Sequence, residues 1–506
     1  MDFLSNMGMG FAVSLSLANL GWCLAGVVIG TAIGVLPGLG PTATISLLLP
    51  FTMGLDMTSS VIMLSGIYYG AMYGGSITSI LVKIPGEAAS VITCIDGYEM
   101  ARRGRAGAAL GISAFGSFIA GIVATLGIAM VGPYLASVAI AFGPAEKTAM
   151  LVLGLVLVVQ VSSTSHFKSL MMILVGLLLS SVGLDQLSGA QRFTYNIAYL
   201  YDGFAIAIMA MGLFGIAELL VMAEKAGGAR QLIAPPKGIV ALLPSRTDWR
   251  ASAGPIARGS VVGFFLGLFP GGGAMIASFA SYVMEKRLSK HPETFGTGAI
   301  EGVAGPESAN NAAAQAAFIP LLCLGIPANA VLAVIMGALL IHGVTPGPQL
   351  MSSHPQLFWG VIASMFVGNL MLVILNVPLI SMFVALLRVP PALMSALIMI
   401  FCVIGAFSLN NDTNDVMLMV GLGVVSYGLR KIDLDPAPLL LAFVLGNLLE
   451  RSVRQALLLG YGSPMIFLEK PISAGFVAAT VLILLWPVLR GLARRLRASL
   501  SSQRPT

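Results

Sequence analysis

Residues 34–44 read Gly-Val-Leu-Pro-Gly-Leu-Gly-Pro-Thr-Ala-Thr, and residues 267–274 read Gly-Leu-Phe-Pro-Gly-Gly-Gly-Ala. In the first stretch two prolines and two glycines, Pro37, Gly38, Gly40 and Pro41, interrupt an apolar run of membrane length. Backbone released from a helix inside lipid must be buried in protein or line a wet cavity, because each orphan polar group costs several kcal/mol there. A helix that restarts after such a break presents bare N–H groups at the positive end of its dipole, which is an anion site that needs no charged side chain. Broken segments in matching places of two halves point to a transporter's binding site. The plainer alternatives are paired turns outside the membrane, or close helix packing through small residues.

The two stretches are 233 residues apart, and other matches follow in the same order. Ile84-Pro85 and Ala88 match Ile326-Pro327 and Ala330 at 242, while Gly97 matches Gly347 and Leu184-Asp185 matches Leu434-Asp435 at 250. Charge fixes the relation between the halves. The loop holding Arg102, Arg103 and Arg105 corresponds to Gly347–Pro355, which has no Lys or Arg. The loop holding Lys286, Arg287 and Lys290 corresponds to Phe51–Thr58, which carries only Asp56. Basic loops stay on the cytoplasmic side, so corresponding loops face opposite sides and the repeat is inverted. The expected organisation is a first membrane repeat over 1–224, a basic proline-containing cytoplasmic linker over 225–258, a second repeat with a terminal span over 259–489, and a basic cytoplasmic tail over 490–506. An odd number of spans, with the N-terminus outside, satisfies all these charges.

Composition sets the class. Hydrophobic residues are 57% of the 506 and charged residues 9%, with mean hydropathy +0.94; soluble domains carry about 25% charged residues. A water-soluble enzyme is excluded. At about 20 residues per span the apolar residues allow roughly fourteen spans, and the expected fold is an all-α polytopic membrane protein of roughly 11–14 apolar segments with paired discontinuous, re-entrant helices. The net charge of +6 sits in loops between apolar stretches, which argues for topology rather than nucleic acid. The four cysteines and four histidines are scattered, without metal-ligand spacing. MDFLSNMGMG lacks the positive region of a cleaved signal peptide, so the run from Phe11 to Val35 reads as a retained helix.

Polar residues inside apolar segments are expensive unless they coordinate something. One cluster is Tyr68–Thr78 followed by Lys83-Ile84-Pro85-Gly86-Glu87; its partner is Glu301–Asn311 followed by Gly325–Asn329. The expected substrate contacts are the amides around Pro37, Gly38, Gly40, Gly271, Gly272 and Gly273, completed by Thr42, Ser76, Thr78, Ser308, Asn310 and Asn311. Lys83 is a counter-charge to an anion, or a side chain snorkelling from a helix end, with Glu87 as its i,i+4 partner. Glu87, Glu307 and Asn329 are the cation-coupling candidates; alternatively Glu307 caps a helix running from Ser308 through Ala317. Glu218 reads as interfacial, and Asn410, Asn411, Asp412, Asn414 and Asp415 as a loop between spans. An intramembrane hydrolase lacks a nucleophile elbow and a second aspartyl signature, whereas a carboxylate channel would share the broken helices.

The stretches PGLGPTATISLLLP (37–50), GIYYGAMYGGSITSILVKIPGEAASVITCIDGYEM (66–100), FPGGGAMIASFASYVMEKRLSK (269–290), GAIEGVAGPESANNAAAQAAFIPLLCLGIPANA (298–330) and GVTPGPQL (343–350) resemble the large membrane subunit of the bacterial tripartite tricarboxylate transporters. The general pattern covers nearly the whole chain. Lys83 stands where the family carries more apolar or Asn-like residues, which points to a substrate difference. The resemblance implies a secondary transporter of the bacterial inner membrane. It would take a citrate-like tri- or dicarboxylate handed over by a periplasmic solute-binding protein, beside a small membrane subunit, driven by Na⁺ or H⁺ and without a cofactor.

Overall fold

The computed structural model describes residues 3–36, 39–161, 164–185, 188–224, 233, 238–270 and 273–485. Its architecture is an all-α polytopic bundle; among the described residues the one sheet is a two-stranded antiparallel ribbon of β1 (Gly183–Leu184) and β2 (Gln191–Arg192). Among the described residues six helices are long and apolar enough to cross a membrane: Leu17–Val35, Thr93–Ile140, Ile206–Glu224, Pro355–Ala385, Leu393–Asn410 and Pro436–Leu459. Four shorter apolar helices accompany them, among them Pro41–Thr52 and Ala330–Ile341.

The first half opens with α1 (Phe3–Ser14), α2 (Leu17–Val35), α3 (Pro41–Thr52) and α4 (Met57–Val82). Ser16 caps α2 and Asp56 caps α4, each accepting from backbone N–H groups of the first turn. The chain doubles back between α2 and α3, bringing Trp22 near the start of α2 to Phe51 near the end of α3 with ring centroids 6.1 Å apart, and Pro41 takes the first helical position of α3, where its missing N–H costs nothing. Helix α4 then runs parallel to α2. Gly26, Gly30 and Gly34 lie one turn apart on α2 and face the backbone of Met63, Ile67 and Ala71; a Cβ at any of the three would run into the facing carbonyl oxygen. Small residues thus let two backbones approach where lipid supplies no hydrophobic drive. Next come α5 (Thr93–Met100), α6 (Ala106–Ile140), α7 (Pro144–Val161), α8 (His166–Ser180), α9 (Ile206–Ala210) and α10 (Ala217–Glu224).

The second half repeats the device. Here α11 (Arg246–Gly267) and α12 (Gly273–Leu288) form the hairpin, and α13 (Glu301–Ala316) runs parallel to α11. Gly259, Gly263 and Gly267 face Gly305, Ala309 and Ala313, again too closely for a Cβ. The three glycines are each 233 residues after their counterparts, and the three facing residues each 242 after theirs. Then follow α14 (Ala330–Ile341), α15 (Leu350–Ser353), α16 (Pro355–Ala385), α17 (Pro391–Asn410), α18 (Thr413–Lys431), α19 (Pro436–Leu459) and α20 (Ile466–Glu469).

Residues 246–258, which the sequence assigns to a linker, are helical and begin α11 behind a Ser245/Asp248 capping box. The basic loops gather at one end of the bundle. Arg105 pairs with Asp248 at 2.5 Å, Arg258 with Glu285 at 2.5 Å, and Ile233 donates its N–H to the carbonyl of Leu81 near the end of α4. The buried carboxylate of Asp96 accepts from the N–H groups of Gly296, Gly298 and Ala299 at 2.7–2.9 Å, tying the loop after α12 to α5. At the other end, Asn19 bonds Ser59, and Gly360 packs on Val13 and Thr58. The Asn410–Asp415 stretch forms the turn expected of it: Asn411 ends α17 in the left-handed region, and Asp412 caps α18.

Candidate functional site

Helices α4 and α13 cross the centre of the bundle antiparallel, and they bring the two polar clusters together. Ser76 lies opposite Glu307, and Tyr68 opposite Phe318 with ring centroids 6.1 Å apart. Glu307 is fully buried, and three hydroxyls donate to its carboxylate: Ser76 at 2.5 Å from α4, Thr93 from α5, and Ser113 at 3.2 Å from α6. A charge placed so deep needs such partners, each bond to a charged group contributing about 1.5–3 kcal/mol. Glu307 therefore sits inside α13, which begins at Glu301 and continues through Pro306, rather than at a helix start. Gly302 and Gly305 carry no side chain there, and the space is taken by Asp96, Ser281 and Glu285; packing, not propensity, sets where this helix begins.

Two contacts join the halves reciprocally. Asn310 donates from Nδ2 to Glu87 Oε1 at 3.1 Å, and Asn329 donates from Nδ2 to Tyr68 Oη at 2.8 Å. Tyr68 and Asn310 are 242 residues apart, as are Glu87 and Asn329. Both members of the second pair cap a helical segment after an Ile-Pro break: Glu87 accepts from the Ala89 N–H at 2.7 Å, and Asn329 from the Leu332 N–H at 3.0 Å. Each half thus reaches the other with the same cap and the same partner position.

The remaining expected residues fall as follows. Asn311 donates to Ser117 Oγ at 2.7 Å and to the carbonyl of Glu307, and its Oδ1, like Asn310 Oδ1 and Ser308 Oγ, is buried without a partner among the described residues. Buried polar atoms are nearly always satisfied, and these three unpartnered oxygens lie together on one helix segment. Thr78 bonds back to the carbonyl of Gly75 at 3.0 Å. Lys83 ends α4 with φ of 60°, exposed, its ammonium 5.3 Å from the centre of the Tyr98 ring; among the described residues no ion pair joins it to Glu87. Pro37, Gly38, Gly271 and Gly272 lie outside the described residues. Gly273 is the first residue of α12.

Beside this buried interface an open crevice of about 330 Å³ runs along the start of α3. Gly40 and Thr42 line it together with Gly86, Glu87, Glu218 and Arg430. Gly40 supplies no side-chain cap to α3, so the first amides of that helix remain unclaimed by one. Arg430, from α18, pairs with Glu218 of α10 at 2.5 Å. The crevice therefore combines a helix N-terminus, a guanidinium and the carboxyl of Glu87, whose other contact is Asn310. Sequence reasoning placed Glu218 at the interface and passed over Arg430, Thr93, Ser113 and Ser117. An Arg-Lys pair closing an apolar run reads as topology, and single hydroxyls in apolar helices carry no signal.

Among the described residues no group of three or more His, Cys, Asp and Glu side chains is placed to hold a metal ion, and the four cysteines are buried and free. The family model described as tripartite tricarboxylate transporter TctA family matches residues 20–441. The chain is 50% identical over 493 residues, 97% of its length and 98% of the relative's, to an Agrobacterium vitis protein described as an uncharacterized 52.8 kDa protein in the TAR-I ttuC' 3' region. A second Agrobacterium vitis protein, in the TAR-II ttuC' 3' region and also uncharacterized, is 52% identical over 231 residues, 45% of this chain and 96% of that one. No solved structure matches the chain.

Proposed function

Because the chain belongs to the tripartite tricarboxylate transporter TctA family, a family of multi-pass transporter subunits, we propose that it takes up a citrate-like tri- or dicarboxylate by cation-coupled secondary transport across the bacterial inner membrane. A periplasmic solute-binding protein delivers the substrate, a small membrane subunit completes the transporter, Na⁺ or H⁺ supplies the drive, and no cofactor takes part. The linker and the C-terminal tail face the cytoplasm, in keeping with their basic composition.

The observation that carries this reading is the crevice beside α3. A carboxylate there meets the amides around Gly40 and Thr42 and the guanidinium of Arg430, which is held in place by Glu218. Two or three bonds of about 1.5–3 kcal/mol each offset carboxylate desolvation in a partly wet cleft. A short step away, through Glu87 and Asn310, lies the buried carboxylate of Glu307, which takes the coupling cation in this reading. Ser308 and the two asparagine oxygens are the further oxygen donors of that region. The pairing of hairpins in inverted halves suits an elevator or rocking motion about the pseudo-symmetry axis.

The test is uptake of labelled citrate and smaller dicarboxylates by vesicles holding the complete transporter, with and without a sodium or proton gradient. Saturable accumulation against a gradient is expected; a flux that neither saturates nor accumulates identifies a channel. Arg430→Gln in the crevice and Asn311→Ala beside Glu307 are expected to cut uptake severely with membrane insertion intact. Full activity in both removes the site assignment.

A further inference from the structure

We propose that a second, water-sized cavity passes protons between Glu307 and the basic end of the molecule, with Leu242 of the linker as its stopper. The inference rests on the reading of Glu307 as the coupling carboxyl. The cavity holds about 20 Å³ between α4, α6 and α16, and among its walls are Tyr73, Ser113, Asn376, Leu242 and Ile380. Tyr73 and Asn376 are each only 4% exposed, and both Tyr73 Oη and Asn376 Oδ1 are buried without a hydrogen-bond partner among the described residues. The Asn376 amide nitrogen is already committed to the carbonyl of Leu372 at 2.9 Å, so its oxygen is left to face something else.

A buried water needs about 10–15 Å³ and two to four polar partners. This cavity has the size and offers three: Tyr73 Oη, Asn376 Oδ1 and Ser113 Oγ. A dry cavity would leave two polar atoms unsatisfied, a loss that water removes. Ser113 is also the third donor to Glu307, at 3.2 Å. With Glu307 protonated and the Ser113 hydroxyl turned towards the water, Oγ accepts the carboxyl proton while its own passes to the water, which gives up a proton past Leu242 to bulk solvent; Glu307 is left as carboxylate with Ser113 donating to it, and rotation of the hydroxyl restores the start. The titratable groups around Glu307 are Tyr73, which lines the cavity with Ser113, Glu87, which accepts from Asn310, and Cys94, next to Thr93. Asp96 lies farther along at Gly302, and the Arg258–Glu285 pair of α11 and α12 at Gly305.

At the mouth, the short turn Ile239–Leu242 lays Leu242 on α6, its carbonyl so close to Gly111 that a Cβ there would collide with it. The Arg105–Asp248 pair marks this as the basic end. The cavity and the crevice beside α3 share no lining residue. Proton and carboxylate therefore take separate routes, and the linker, not the substrate, controls the proton's.

The experiment uses the complete transporter in liposomes loaded with a pH-sensitive dye, with labelled citrate as the probe. Net uptake driven by a pH gradient is compared with exchange of labelled for unlabelled citrate, which returns the carrier loaded and needs no proton release. Asn376→Leu fills the cavity and is expected to cut net uptake at least tenfold with exchange within twofold of the parent. Tyr73→Phe acts in the same direction with a smaller loss, and Leu242→Ala raises citrate-independent proton entry. Net uptake and exchange falling together, or net uptake unchanged in both cavity variants, overturns the proposal. So does uptake driven by sodium alone, which leaves the transport reading standing. A parent protein with neither uptake nor exchange overturns that reading instead.

Discussion

The hairpin of α2 and α3 and the hairpin of α11 and α12 share one backbone plan and differ in what surrounds their restarted helices. Both place three glycines a turn apart against a parallel third helix, in the same register. Yet α3 begins beside Arg430, Glu218 and Glu87, whereas α12 turns Ile276, Phe279 and Val283 outward at 37–46% exposure. The repeated part is the packing, where a single methyl group cannot be added. The chemistry has diverged, because side chains lining a crevice are free to change without disturbing helix contact. The anion site proposed above belongs to α3, where Arg430, Glu218 and Glu87 gather.

The comparison is broken most severely at the glycines. Gly30→Leu and Gly263→Leu are each expected to destabilise the protein by at least about 3 kcal/mol, since overpacking here meets backbone, not a movable side chain. Loss of folded protein in detergent chromatography measures it, and equal losses in both halves are expected. Next comes Arg430→Gln, for which a loss of about 100-fold or more in uptake at low substrate is expected, with normal insertion; a charge-assisted contact of about 1.5–3 kcal/mol and the stranded Glu218 combine. Lys83→Ala, by contrast, is expected to leave uptake within about twofold, its ammonium lying over Tyr98.

The reciprocal contacts sharpen the comparison further. Asn310→Leu removes a bond to a carboxylate and Tyr68→Phe a neutral one, so expected losses of about 1.5–3 and about 0.5–1.5 kcal/mol separate in thermal unfolding. The smallest effect lies outside the spans. Burial and the neighbouring Asp415 hold the Tyr199 hydroxyl well above its ordinary range. Its folded form keeps the proton longer than the unfolded chain, so its contribution is constant below about pH 10 and declines above. Tyr199→Phe is expected to flatten that decline.

Much of the fold can be read from local pattern. The Pro/Gly interruptions, the two repeat offsets and the basic loops are properties of neighbouring residues, and the hairpins and the shared basic end follow them. Glu307 shows the limit: its apolar surroundings announce a role, but nothing nearby in the chain reveals that its partners come from Ser76, Thr93 and Ser113 on three other helices. The reciprocal caps are legible only in part, as a matched Ile-Pro followed by Glu87 or Asn329, without the partners they find.

Hydropathy, backbone sterics and charge retention act over a few residues, and so the amino-acid order alone determined a helical membrane protein in two related halves, each broken at glycine and proline. Which side chains share a crevice was decided by the tertiary structure. Arg430 lines the same crevice as Gly40, 390 residues away in the chain, because α18 and α3 belong to one bundle, and the rotation of each helix about its axis, which no local rule fixes, sets what faces what.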